Sequence, residues 1–78
     1  MDPNDLRYIQ IGLKIAYYRK LRNMTQEQLA ESVSISVGYL SLIESPTFAQ
    51  SISLKLLFAF ADTFHIPPKR LLDFEENE

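Results

Sequence analysis

The sequence contains no cysteine and no tryptophan, and its 78 residues include only two glycines and one histidine. Without cysteine there is neither a disulfide framework nor a thiolate metal site, which suits a reducing cytoplasm. The two glycines, Gly12 and Gly38, are too few for a loop that cradles phosphate. His65 has no companions at ligand spacing, so we interpret it as a helix-terminal or solvent-exposed residue.

Long hydrophobic runs are also missing. No stretch approaches the ~20 apolar residues that cross a bilayer, and no signal peptide is recognisable. No paired carboxylates and no set of nucleophile, base and acid can be placed in one pocket, and a chain of this size cannot enclose a cavity around such a set. We therefore expect a cytoplasmic protein that is not an enzyme, has no membrane segment and needs neither cofactor nor metal.

The composition supports a single domain over residues 1–78. Hydrophobic residues make up 46% of the chain, enough for one core that buries roughly 60% of the unfolded surface. The net charge is −2, but four of the ten acidic residues lie within the last six positions. Without those four, six acidic residues remain against eight basic ones. The body of the chain is mildly basic, therefore, and residues 74–78 form an acidic tail that we expect to fray.

The stretch from Thr25 to Glu44 predicts two short helices joined by a sharp turn. Thr25 and Gln28 have the spacing of a capping box, and Ser36 is a good N-cap for the second helix. The expected core residues of this stretch are Leu29, Ala30, Val33, Ile35, Leu40 and Ile43. The expected outward-facing residues are Val37, Gly38, Ser41, Leu42 and Ser45. Two short helices with such a connection describe a helix-turn-helix.

A longer helix is predicted before this stretch. It starts at Asp2-Pro3-Asn4-Asp5 and runs to about Leu21, with a break expected near Gly12. One apolar stripe, assigned to the core, consists of Ile11, Ile15 and Tyr18. A second stripe consists of Leu6, Ile9, Leu13 and Tyr17. The second stripe either packs under the C-terminal segment or forms a homodimer seam.

Two further helices are predicted after the stretch from Thr25 to Glu44. Pro46 ends the second helix of the pair and opens a loop that reaches Ile52. Ser53 caps a helix from Leu54 to Phe64, for which we expect Leu54, Leu57, Phe58 and Ala61 in the core and Leu56 and Phe60 on the other side. A short fifth helix, Lys69 to Asp73, follows, and Leu71 and Leu72 are expected to close the bundle.

The run Thr-Gln-Glu-Gln-Leu-Ala-Glu from Thr25, with Ser36, Tyr39-Leu40-Ser41 and Ile43-Glu44, resembles the helix-turn-helix family of the phage lambda repressor and Cro, the XRE-type regulators. The match extends back to Arg19 and forward to Leu71-Leu72-Asp73, roughly residues 11 to 73. It implies an all-α, five-helix, lambda-repressor-like domain with its helix-turn-helix at residues 25–44. It also implies that Arg19 pairs with Glu44, and that Asn23 stands where the family usually has glycine.

The resemblance further implies a regulator, expected to be a repressor, that places helix 36–45 in the major groove of double-stranded DNA. The base-facing positions would be Ser36, Val37, Gly38, Ser41 and Leu42. Candidate phosphate contacts are Lys20, Arg22, Gln26 and Thr47. The basic cluster at the end of the first helix could be a solvated face, but it lies beside the start of the next helix, a natural phosphate site. For Thr47, a plain surface loop is the favoured alternative.

A homodimer is expected, because one domain of this size covers about half of a two-fold operator. The candidate seam residues are Leu6, Ile9, Leu13, Tyr17, Phe60 and Phe74. One departure from the family favours an alternative function. Val37, Gly38 and Leu42 replace the glutamine, asparagine or arginine that read bases in other members. The scaffold could therefore be a protein-interaction module, such as an antitoxin-like partner, that uses Leu42, Phe48 and the second stripe.

Overall fold

The computed structural model describes residues 2–74, which form four α-helices and one 3₁₀ turn. The helices are α1 (Pro3–Leu21), α2 (Gln26–Ser32), α3 (Val37–Ile43) and α4 (Leu54–Phe64), and the 3₁₀ turn is Pro68–Leu71. The described residues include no strand, so the all-α prediction is confirmed. None of the helices in this part of the chain is long and apolar enough to cross a membrane.

The predicted fifth helix, Lys69–Asp73, is wrong. The segment forms a single 3₁₀ turn in which the Arg70 N–H bonds to the Pro67 carbonyl and the Leu72 N–H to the Lys69 carbonyl. Two prolines start this turn, and the segment is too short for an α-helix to propagate. Leu71 is fully buried, as expected, but Leu72 is 44% exposed and does not close the core. The fraying predicted for the acidic end concerns positions beyond the described residues.

Helix α1 is capped as its sequence indicates. The Asp2 carboxylate accepts a hydrogen bond from the Asn4 N–H at 2.9 Å, and the Asp5 carboxylate accepts one from the Asp2 N–H at 3.3 Å. The expected break near Gly12 is absent, because α1 runs unbroken from Pro3 to Leu21. Gly12 has another purpose: a Cβ atom at this position would collide with the carbonyl group of Ile43. Glycine lets α1 cross the end of α3 at backbone contact.

Three helices end in the same way, on a residue with left-handed backbone. These residues are Asn23 (φ 56°), Ser34 (φ 61°) and His65 (φ 59°). After each of them, the next N–H reaches back five residues to a helix carbonyl, at 2.9–3.0 Å, in the pairs Met24–Arg19, Ile35–Ala30 and Ile66–Ala61. This is the Schellman pattern. Met24, Ile35 and Ile66 each pack against the core, so every reversal also adds an apolar side chain to it.

The core forms between α1, the helix pair and α4. Its buried members are Ile11, Ile15, Leu29, Ala30, Leu40, Ile43, Leu57, Phe60, Ala61, Phe64 and Leu71. Most were predicted, including Leu57 and Ala61 of α4, but the other two core residues predicted for that helix are on the surface. Leu54 and Phe58 are 66% and 48% exposed, whereas Phe60 is fully buried. The buried residues of α4, Leu57, Phe60, Ala61 and Phe64, have the i, i+3, i+4, i+7 spacing of one inward face, and the predicted face was rotated from it toward Leu54 and Phe58.

The second stripe of α1 is divided by the fold. Leu6, Leu13 and Tyr17 are 44–59% exposed, but Ile9 is buried at 6%. Ile9 and Phe60 are therefore corrected from candidate seam residues to core residues. Phe74 also packs against the core and is partly buried. The candidates that remain on the surface are the three outer residues of α1.

Gly12→Ala should lower the free energy of unfolding by about 2–3 kcal/mol, because the new methyl group would displace the Ile43 backbone. Helix propensity alone would predict a gain. Gly38→Ala is the matched control, since a Cβ there meets nothing within 4 Å and should stabilise by about 0.5–1 kcal/mol. Urea midpoints measure both changes. Equal midpoints for the two variants would contradict the crossing described for Gly12.

Candidate nucleic-acid interface

Each helix of the predicted helix-turn-helix begins after a capping residue, Thr25 for α2 and Ser36 for α3. The Thr25 hydroxyl accepts from the Gln28 N–H at 3.1 Å, and the Gln28 side-chain oxygen accepts from the Thr25 N–H at 2.9 Å. The predicted capping box is therefore confirmed. The Ser36 hydroxyl oxygen accepts from the Tyr39 N–H at 3.0 Å and starts α3. Between them, the left-handed Ser34 turns the chain, which the sequence analysis did not predict.

Helix α3 presents one face to the core and one to solvent. Leu40 and Ile43 are buried, whereas Val37 is 38% and Leu42 44% exposed. All five positions expected to face bases, Ser36, Val37, Gly38, Ser41 and Leu42, are exposed. The helix ends at Ile43 and is capped by Glu44, slightly before the expected end at Ser45. The solvent face is thus short, mostly apolar and open to a large ligand.

A buried ion pair fixes the end of α3 to α1. The Arg19 Nε donates to Glu44 Oε2 at 2.8 Å and its Nη2 to Glu44 Oε1 at 3.0 Å. The third nitrogen, Nη1, donates to the Met24 carbonyl at 2.8 Å. The two side chains are only 12% and 6% exposed. The pairing implied by the family resemblance is present, and it also holds the turn that leads into α2.

Gln26, a predicted phosphate contact, is hydrogen-bonded to two residues of α3 and its cap. Its Nε2 donates to Glu44 Oε1 at 3.1 Å, and its Oε1 accepts from the Ser41 hydroxyl at 3.2 Å. The side chain thus joins the first residue of α2 to both the cap and the exposed face of α3. Its amide group therefore links α2 to α3 by two hydrogen bonds.

The two candidate cations differ. Lys20 is exposed on the last turn of α1. The Arg22 guanidinium instead donates twice to the Phe64 carbonyl, from Nε at 3.1 Å and Nη2 at 2.8 Å. Arg22 therefore caps the negative end of α4. Its partner lies 42 residues away in the chain, so no local pattern could have indicated this contact.

The loop after α3 is held by Ser45. Its hydroxyl oxygen accepts from the Thr47 N–H at 3.2 Å and from the Phe48 N–H at 3.1 Å. This turn leaves Thr47 exposed, and it leaves Phe48 49% exposed. Gln50 donates to the neighbouring Ser51 carbonyl at 3.0 Å. Thr47 and Phe48 are thus exposed in this loop, together with Pro46 and Ser51.

Glu44→Ala should lower the free energy of unfolding by about 3–5 kcal/mol, because it leaves the Arg19 charge nearly buried without its partner. Glu31→Ala is the control: it removes a carboxylate from the exposed surface of α2 and should change stability by less than about 0.5 kcal/mol. Chemical denaturation followed by circular dichroism compares the two. A Glu44 variant as stable as the control would mean that the pair is not buried in solution.

Comparisons with known proteins agree with this geometry. A family model described as Helix-turn-helix matches residues 15–71. An uncharacterized HTH-type transcriptional regulator of Methanocaldococcus jannaschii is 35% identical over 65 residues, which cover 83% of this chain and 96% of that protein. The restriction-modification controller protein C.AhdI from Aeromonas hydrophila is similar in fold, with a TM-score of 0.73 at 22% identity over 82% of this chain and 94% of its own. The chain belongs to the helix-turn-helix family of DNA-binding transcriptional regulators that includes lambda repressor and Cro.

Proposed function

We propose that the domain regulates transcription by placing the solvent face of α3 in the major groove of double-stranded DNA, and that it represses by occupying its operator. The observation that carries this proposal is the fixed position of α3. Ser36 caps its start, and the Arg19–Glu44 pair and Gln26 hold its end. An exposed helix held at both ends can dock without reordering, which lowers the entropic cost of binding. Such a regulator would act in the cytoplasm, where its DNA lies, and it would need no catalytic group.

Base recognition on this surface depends on few groups. Val37 and Leu42 can contact thymine methyl groups, and Gly38 adds no side chain at all. No side chain among the base-facing five can form the bidentate contacts that contribute ~1–3 kcal/mol of discrimination each. We therefore propose that DNA shape and deformability supply part of the specificity. The ratio of specific to random binding should lie toward the low end of the usual ~10³–10⁷ range.

Phosphate contacts would supply most of the affinity. Lys20 is exposed on the last turn of α1, and Thr47 is exposed in the loop after α3. Arg22 and Gln26 already donate within the domain, to the Phe64 carbonyl and to Glu44, but Arg22 is exposed and has further N–H donors. All four residues therefore stay proposed phosphate contacts, and Lys20 is the one to test first.

Lys20→Ala should weaken binding to every duplex alike and reduce the slope of log affinity against log salt by about 0.9 for each bound domain. Lys69→Ala is matched in charge but lies on the 3₁₀ turn, which packs mainly on α4 and α1, and it should leave the slope unchanged. Fluorescence anisotropy with duplexes at several salt concentrations gives both slopes. If neither genomic nor random DNA is bound at low salt, DNA binding is the wrong function.

We further propose that the domain binds DNA as a homodimer. The molecule measures 30 × 25 × 21 Å, so two copies side by side can place two α3 helices close to the ~34 Å that separates half-sites. The exposed outer stripe of α1, which consists of Leu6, Leu13 and Tyr17, is the proposed seam, in which the same surface meets itself. Leu54, Phe58 and Leu72 form the competing apolar surface, since each is 44–66% exposed.

Sedimentation across a concentration series should show a dimer for the native chain and a monomer for Leu13→Glu, because a carboxylate would be desolvated in the seam. Phe58→Glu introduces the same charge on α4 and should remain dimeric. The reverse pattern would move the seam to α4. A monomer at high micromolar concentration for the native chain would contradict the dimer itself.

A second candidate function rests on the apolar character of the same face. Val37, Leu42 and Phe48 are 38–49% exposed on and beside α3, and exposed apolar groups of this kind can mark protein contacts. The domain could then bind a partner protein, as an antitoxin-like module does. A partner that competes with DNA for α3, or that binds when DNA does not, would favour this function.

A further inference from the structure

A continuous chain of hydrogen bonds connects the buried ion pair to the DNA-facing surface of α3. Arg19 donates to Glu44, Gln26 donates to Glu44, and Ser41 donates to Gln26. The chain passes from a nearly buried charge to an exposed hydroxyl through one amide group. The buried end therefore determines which group donates and which accepts in each of these hydrogen bonds.

The direction follows from the inventory of donors and acceptors. A carboxylate paired with arginine only accepts hydrogen bonds, so the Gln26 group that faces Glu44 must be its NH₂. The opposite end of the amide, Oε1, is only an acceptor. Because this oxygen lies 3.2 Å from the Ser41 hydroxyl, the hydroxyl must supply the proton. The lone pairs of Ser41 Oγ are then left for an external partner.

We propose that Ser41 acts toward DNA as a hydrogen-bond acceptor and selects a base with an exocyclic amino group in the major groove, adenine N6 or cytosine N4. This inference rests on the proposed function. Guanine O6 and thymine O4 present acceptors at the same edge, and phosphate oxygens are acceptors as well. A hydroxyl whose proton is directed to Gln26 satisfies none of them.

The expected size of the effect is modest. One neutral hydrogen bond contributes ~1 kcal/mol net, which corresponds to about fivefold in affinity. The 3.2 Å separation is long for a hydroxyl donor, for which ~2.7–2.8 Å is typical, so two- to fivefold discrimination at one position of each half-site is expected. Ser41 is still decisive there, since Val37, Gly38 and Leu42 beside it have no polar side-chain atom.

The test selects bound duplexes from a random pool with three proteins: the native chain, Ser41→Ala and Gln26→Met. The native chain should enrich adenine or cytosine at one position of each half-site. Ser41→Ala should lose the preference at that position and keep the others. Gln26→Met has a side chain of similar length without the amide, so it frees the Ser41 proton and should admit guanine or thymine there.

A second measurement avoids reliance on the Gln26 variant. In the best duplex, the adenine at that position is replaced by purine, or the cytosine by pyrimidin-2-one, which removes only the amino group. Native affinity should fall two- to fivefold, whereas Ser41→Ala should bind both duplexes equally. The loss of affinity caused by the analogue is compared between the native chain and Ser41→Ala. Any effect of the analogue on the duplex itself is the same for both proteins and cancels in this comparison.

Three results would overturn the inference while the proposed function stands. The Ser41-dependent position could enrich guanine or thymine, which would make Ser41 a donor. Ser41→Ala could weaken all sequences alike, which would place Ser41 against a phosphate. It could also change no position at all. If no protein binds any duplex at low salt, the proposed function fails, and this inference fails with it.

Discussion

The ion pair between Arg19 and Glu44 is the interaction on which the arrangement of this small domain depends. It joins α1 to the cap of α3, and the same guanidinium holds the Met24 carbonyl in the turn before α2. Three segments are thus fixed by one side chain. Buried pairs of this kind contribute less to net stability than their geometry suggests, because desolvation offsets much of the Coulomb energy. Their contribution here is positional: the charges have one satisfied arrangement, and it sets where α3 lies.

Local patterns in the sequence predicted the parts of the fold that are determined locally. Asp2, Thr25, Ser36 and Ser53 cap the helices at which the sequence placed them. Each cap is a contact between residues two or three positions apart, so the relevant information lies within one turn of chain. The left-handed end at Asn23 was also indicated, since the family resemblance implies glycine at that position, and His65 was expected at a helix terminus. Ser34 was missed because serine rarely adopts this backbone.

Contacts between distant residues were less predictable, and they decide the details of the site. The inner face of α4 was predicted only in part: Leu57 and Ala61 are buried as expected, but the face includes Phe60 and not Phe58. Gly12 suggested a break, whereas its role comes from the Ile43 carbonyl, 31 positions later in the sequence. Arg22 was predicted to contact a phosphate, and its additional contact with the Phe64 carbonyl was not foreseen. Each of these residues has a partner on another element.

The same distinction applies to the surface proposed to meet DNA. Among the positions expected to face bases, the sequence identifies two with a polar side chain, Ser36 at the N-cap of α3 and Ser41 within it. It does not show that their hydroxyl groups are used in opposite senses. The oxygen of Ser36 already accepts the Tyr39 N–H, so its proton is free to be donated outward. The proton of Ser41 is directed inward to Gln26, so its oxygen is free to accept. The two serine side chains are chemically identical, but the residues beside them leave one free to donate a hydrogen bond and the other free to accept one. On a surface with few polar groups, these neighbours determine what the helix can read.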